Sequence, residues 1–139
     1  GVHLGQGDLP LKEARKIMGD KIIGISTHSL AEALEASEGS ADYIGFGPVF
    51  ETSTKDAGRP KGVMMLKEIK DSVKIPVVAI GGISKENLRS VLAARADAVA
   101  VASGILKGDI SDNVKNFMNI IKGGQLLVTK QNSGTRRGY

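Results

Sequence analysis

Thr52, Ser53, Thr54 and Lys55 place three hydroxyls beside an ammonium within the stretch GPVFETSTKDAGRPKG, residues 47–62. Hydroxyls donate hydrogen bonds, lysine brings a compact positive charge, and nearby glycines let backbone come close, a set that suits a phosphate. This is the longest irregular connection before the C-terminal tail, and loops of that length in a compact domain are functional or disordered. A solvated surface loop has the same composition, so only position can separate the two readings.

Other residues pose similar pairs of readings. Asp8, with Gln6 close by, either caps the following helix or serves as a Mg²⁺ ligand, since magnesium binds through one or two carboxylates plus substrate phosphates. Gly81-Gly82 and Ser103-Gly104 each follow an apolar run. They are tight turns, or they offer backbone N–H groups to an anion at a helix start. His28 is a hydrogen-bonded residue at a strand end or a general base working near neutral pH. His3 lies inside a strand run and reads as structural, and Asp42 and Asp97 precede strands and read as turn or cap residues.

Those residues need elements to hold them. Five short runs have strand character: Gly1–Leu4, Lys21–Ser26, Ala41–Phe46, Ile75–Ile80 and Ala98–Ala102. Helical spacing predicts Leu11–Met18, Leu30–Ser37, Val63–Ile69 and Lys85–Ala94, and a last helix from Ser111 or Asp112 to about Ile121, stopped by Gly123-Gly124. Ser29 and Glu32 form a capping box for the second of these. The alternation is that of βαβ units and a parallel sheet, and strands apolar on both faces imply cover on both sides. A five-stranded doubly wound sheet and the last five units of an eight-stranded (β/α) barrel both fit. Either one puts function at the C-terminal ends of the strands, where all the polar and glycine-rich stretches fall.

Composition excludes several classes. The net charge is +4, but Lys130, Arg136 and Arg137 lie in a tail without acids, which leaves the rest at +1. With 4% aromatic residues there is no base-stacking surface, so no nucleic-acid partner is expected. No apolar run reaches the roughly 20 residues that span a bilayer, and no membrane partner is expected. The absence of cysteine removes disulfides, Cys-ligated zinc and a thiol nucleophile, and agrees with a cytoplasmic protein. Residues 1–123 read as one folded unit and residues 124–139 as a basic, disordered tail. The chain opens on Gly1-Val2-His3-Leu4-Gly5, the end of a strand, and is expected to lack its natural beginning.

Taken together, GVHLGQGD (1–8), IIGISTHSLAEAL (22–34), ADYIGFGPVFETSTKDAG (41–58), IPVVAIGGISKEN (75–87) and ADAVAVASGI (96–105) resemble the thiamine phosphate synthases and the related thiazole tautomerases. The resemblance implies an α/β fold of the parallel (β/α)₈ TIM-barrel type, here N-terminally incomplete with about five βα units. It implies a Mg²⁺-dependent transferase that joins hydroxymethylpyrimidine diphosphate to hydroxyethylthiazole phosphate and releases pyrophosphate and thiamine phosphate. By matched position it makes Asp8 a magnesium ligand and places Ser26 near the pyrimidine and pyrophosphate. Lys55 neutralises the pyrophosphate, and Thr52, Thr54, Gly82, Ala102 and Ser103 surround the thiazole phosphate. Arg95 stands where the family usually has glycine. The basic pair and the Asn-Asp pair that the family's earlier strands supply have no counterpart here, so little or no activity is expected of these residues alone. The enzymatic alternative is a thiazole tautomerase using His28, and the non-enzymatic one is a phosphate-ligand-binding or assembly module. Five units leave sheet edges unpaired at Gly1–Leu4 and Ala98–Ala102, which predicts self-association.

Overall fold

The computed structural model describes residues 1–53 and 58–132, with side chains through residue 123. Five strands, β1 (Val2–Leu4), β2 (Ile23–Thr27), β3 (Tyr43–Phe46), β4 (Val77–Ile80) and β5 (Ala98–Ala100), pair in parallel in sequence order. Helices α1 (Leu11–Met18), α2 (Leu30–Glu38), α3 (Gly62–Ser72) and α4 (Leu88–Ala93) connect them, and α5 (Ser103–Leu106) and α6 (Ile110–Asn132) follow β5. The predicted strands and connecting helices recur with ends shifted by a few residues.

Strand order decides between the two architectures. A doubly wound sheet reverses at a switch point, whereas here every strand pairs with its successor. Right-handed crossovers that keep stepping in one direction put all their helices on one face. The molecule is therefore a five-stranded parallel α/β sheet of the kind found in (β/α) barrels. Its covered face carries Ile23, Ile25, Ile44, Phe46, Val77 and Ala79, all buried with Leu66, Ile69, Leu88 and Val91 of the helices.

The other face corrects the expectation of cover on both sides. Alternation along the strands puts His3, Ser26, Tyr43, Val78 and Ile80 there, and Ile80 is 47% exposed. The apolar residues that suggested a second helical layer stand instead on an open surface. In a closed barrel that surface points inward and is filled by side chains.

At the N-terminal ends of the strands, two aspartates do one job twice. Asp42 Oδ2 accepts from Ile23 N–H and from Arg15 Nη2, each at 2.7 Å. Asp97 Oδ2 accepts from Val77 N–H at 2.7 Å and from Lys70 Nζ at 2.6 Å. Each thus ties the start of a strand to a helix. The Arg15 hydrogen bond, then the Ile23 N–H, holds Asp42 below the usual carboxylate range. At Asp97 burial pushes the other way and is outweighed by Lys70 and the Val77 N–H.

Two local expectations change in detail. Ser29 accepts from Glu32 N–H at 3.2 Å as predicted, but the Glu32 carboxylate takes the N–H of His28 at 2.8 Å, one residue before the cap. Helix α6 runs through Gly123-Gly124 to Asn132 rather than stopping there. Glycine lowers helix propensity by about 1 kcal/mol without breaking the hydrogen-bond ladder, and Gln125-Leu126-Leu127 are helix formers.

Candidate active site at the C-terminal rim

Three loops stack at the C-terminal ends of β3, β4 and β5. The first arm of the loop after β3 extends the pairing with β4, as Val49 N–H donates to the Ile80 carbonyl at 2.9 Å and Phe50 N–H to that of Gly81 at 3.1 Å. The returning arm closes on it through Lys61 N–H to Pro48 O, 2.8 Å, and Gly62 N–H to Val49 O, 3.0 Å. The loop is therefore rooted at the rim at both ends.

Glycine makes that stacking feasible. Gly81 and Gly82 adopt φ of 95° and 63°, a region that other residues enter only with strain. A Cβ on Gly82 would lie 2.3 Å from the Glu51 carbonyl oxygen, and one on Gly104 would lie 2.9 Å from that of Ile83. Thr52, next to Glu51, is thereby carried beside Gly82, and Ser103-Gly104 stands against the same turn. Ala102 precedes α5 and Ser103 opens it. Of the residues assigned to a thiazole phosphate, Thr52, Gly82, Ala102 and Ser103 thus share one rim. Thr54 and Lys55 lie outside the described residues.

Asp8, in the turn after β1, and Ser26, on β2, lie at the same end. The Gly5 N–H donates to Asp8 Oδ2 at 2.6 Å, and Asp8 N–H donates back to Gly5 O at 3.2 Å. Asp8 closes its own turn and does not cap α1, whose N-cap is Pro10. With Gln6, Lys12, Glu32 and Glu35 it lines a cavity of about 360 Å³. Among the described residues no group of three metal-ligating side chains forms, and a Mg²⁺ at Asp8 would need further ligands such as substrate oxygens and water. Gln6 Nε2 donates to the Ser26 carbonyl at 2.6 Å.

His28 has a structural occupation. Its Nδ1 lies 2.6 Å from the Gly47 carbonyl, which only accepts, so Nδ1–H donates and pins the root of the long loop. Glu86, at the turn before α4, is held below its usual range first by the Ser84 hydroxyl.

Sequence reasoning read His3 as structural and did not single out Tyr43. His3 Nε2 lies 2.9 Å from Ser26 Oγ, and its Nδ1 lies 2.9 Å from the Tyr43 hydroxyl. The clue was in the register. His3, Gly24 and Tyr43 are directly opposed across β1, β2 and β3, and Ser26 opposes Gly45. Glycines facing two ringed residues on one side of a sheet signal space that those rings occupy.

Comparison with known proteins follows the same geometry. The thiamine monophosphate synthase family model matches residues 1–105. Thiamine-phosphate synthase of Methanosarcina barkeri is 47% identical over 125 residues, covering 88% of this chain and 57% of that protein. The Clostridium novyi enzyme of the same name is 54% identical over 123 residues, covering 86% and 60%. The thiamine phosphate pyrophosphorylase structure from Pyrococcus furiosus superposes with a TM-score of 0.83 at 44% identity, over 89% of this chain and 60% of that one. The chain therefore spans somewhat under two thirds of the length of these relatives. Sheet order, stacked glycine loops and sequence similarity agree, and the chain belongs to the thiamine monophosphate synthase family.

Proposed function

We propose that the chain is the C-terminal part, five of eight βα units, of a barrel enzyme that makes thiamine phosphate from hydroxymethylpyrimidine diphosphate and hydroxyethylthiazole phosphate. Residues 1–123 form that part, and residues 124–139 lie outside it. The observation that carries the reading is the stacking of the Glu51-Thr52 segment, Gly82 and Ser103-Gly104 at one rim, in a chain about half identical to thiamine-phosphate synthases. Thr52, Thr54, Gly82, Ala102 and Ser103 surround the thiazole phosphate, the last three largely through backbone N–H groups. The first N–H groups of a helix have no intrahelical acceptor and favour an anion. Ser26 and Lys55 stabilise the leaving pyrophosphate, where preorganised donors and charge act most strongly on the barrier. Asp8 is one Mg²⁺ ligand, and the ion when bound neutralises pyrophosphate charge. A cytoplasmic enzyme acting on small phosphorylated substrates is the setting this implies.

The test supplies what the chain lacks. The chain alone is expected to form little or no thiamine phosphate, and fusion behind the N-terminal part of the Clostridium novyi enzyme is expected to restore synthesis. In that fusion Lys55→Ala should lower turnover by orders of magnitude without shifting the melting temperature. A folded fusion that makes no product, or an unaffected Lys55→Ala rate, overturns the assignment.

The partner surface follows from the same reading. Within the described sheet β1 and β5 each pair on one side only. Ile17 and Ile22 are 75% and 59% exposed near the β1 edge, and Val114 and Met118 are 41% and 44% exposed on α6. Such edges pair with other chains, so the isolated chain is expected to self-associate. A monodisperse monomer by light scattering would refute this.

A further inference from the structure

The hydrogen bonds at His3 have a direction, and that direction bears on Ser26. A neutral imidazole donates from one nitrogen and accepts at the other. Two arrangements are open: Tyr43 donates to Nδ1 while Nε2–H donates to Ser26, or Ser26 donates to Nε2 while Nδ1–H donates to Tyr43. A phenol is a better donor than an aliphatic hydroxyl such as serine's, and its oxygen lone pairs are drawn into the ring. The first arrangement is therefore favoured.

Glycines fix where the rings lie. The Tyr43 ring crosses β2 over Gly24, where a Cβ would come within 2.1 Å of its Cζ, and the His3 ring leans over Gly45, with Cε1 3.3 Å from the Cβ position. The two rings stand 5.4 Å apart at 35°. Neither glycine can be replaced without moving a ring, so the path Tyr43–His3–Ser26 is built into three adjacent strands. Gln6 holds the Ser26 carbonyl from the other side.

We infer that His3 is a positioning residue: locked by Tyr43 as its Nε2–H tautomer, it donates to Ser26 Oγ and so turns the Ser26 hydroxyl hydrogen toward the open face. Ser26 then meets any ligand as a donor. Its ligand is an acceptor, a phosphate or pyrophosphate oxygen rather than an N–H group. Only the identity of that acceptor rests on the proposed function; the tautomer and the ordering of Ser26 do not.

The test needs no ligand. The chain has two histidines, and His28, committed to the Gly47 carbonyl through Nδ1–H, serves as an internal reference. Long-range ¹H–¹⁵N correlation spectra of the chain should show the two rings as opposite tautomers, His3 protonated at Nε2 and His28 at Nδ1. Tyr43→Phe keeps the ring over Gly24 and removes the donor, and His3 should then become a tautomer mixture. Ser26 Hα–Hβ couplings should report a single rotamer, averaged in His3→Phe and restored in His3→Gln, whose amide can reach Ser26 again. An Nδ1–H form of His3, no response to Tyr43→Phe, or an equally ordered Ser26 in His3→Phe would overturn the inference. None of these results depends on whether the completed enzyme makes thiamine phosphate.

Discussion

The two ends of the sheet are held by different physics. At the N-terminal ends, side chains do the holding: Asp42 and Asp97 each join a strand N–H to a helix cation. At the C-terminal ends, backbone packs on backbone, and the room comes from Gly81, Gly82 and Gly104. The first arrangement commits Oδ2 of each carboxylate to a strand N–H and a helix cation. The second brings loops close while keeping hydroxyls and N–H groups at the surface. In (β/α) barrels the bottom face serves stability and the top face serves chemistry. Here that division coincides with a change from side-chain joints to backbone joints.

The largest expected effect is at the rim. Gly82→Ala adds a Cβ 2.3 Å from a carbonyl oxygen at a φ of 63°. Left-handed backbone costs an alanine about 1–2 kcal/mol and overpacking about 1–3, so the urea unfolding free energy should fall by about 2–5 kcal/mol. Gly7→Ala, where the added methyl meets nothing within 4 Å, should leave it unchanged. Equal effects at the two sites would mean that the stacking of loops is not what holds the rim.

Next comes the other end. Asp97→Ala leaves the Val77 N–H and Lys70 without their acceptor. A hydrogen bond to a charged group is worth roughly 1.5–3 kcal/mol, and with the Asp97 side chain 39% exposed solvent screening brings the expected loss to about 1 kcal/mol. In the completed enzyme this loss should appear in stability and not in turnover, the reverse of Lys55→Ala.

Acid should weaken the same end. Asp42 and Asp97 have folded pKa values below their unfolded ones. The stability they give is complete above the unfolded value, near 3.9, and is lost as pH falls through the folded values. Unfolding free energy should therefore be insensitive to these two groups near neutrality and drop below about pH 4. The double variant Asp42→Asn, Asp97→Asn should start less stable and show a shallower acid limb. Glu86 would still contribute, because its carboxylate is also held low. An unchanged limb, followed by circular dichroism, would remove the aspartates from the account.

Much of this contrast was legible in the residues and some was not. Alternating apolar runs and caps located the strands and helices, and the sequence placed Asp42 and Asp97 at the quiet end because each precedes a strand. It did not show that one sheet face is bare. Val-Val-Ala-Ile reads the same whether its second face meets helices or the inside of a barrel, and only strand order separates the two. His3 was read as structural, but its partners stayed out of sight for a related reason. Only the register sets it beside Ser26 and Tyr43, with glycines opposite. Gly123-Gly124 looked like a stop because local propensity was taken as decisive over a ladder of helical hydrogen bonds.

The smallest expected effect sits at Arg95, in the turn between α4 and β5. It adopts a φ of 64°, and its guanidinium pairs with Asp71, which Lys67 also contacts at 2.7 Å. The family's usual glycine is accounted for by that dihedral, since glycine enters the left-handed region without strain. Arg95→Gly should relieve about 1 kcal/mol of backbone cost. Against this stand the loss of an exposed ion pair, worth about 0–1 kcal/mol, and the greater freedom of glycine in the unfolded chain, worth about 0.4–1 kcal/mol. The terms nearly cancel, so the melting temperature should move by no more than about 4 °C in either direction. Salt separates them: because only the ion pair is screened, the Gly variant should gain on the parent as salt is raised. A variant that loses more than that at every salt concentration would show that Arg95 anchors the helix end rather than merely occupying a glycine's conformation.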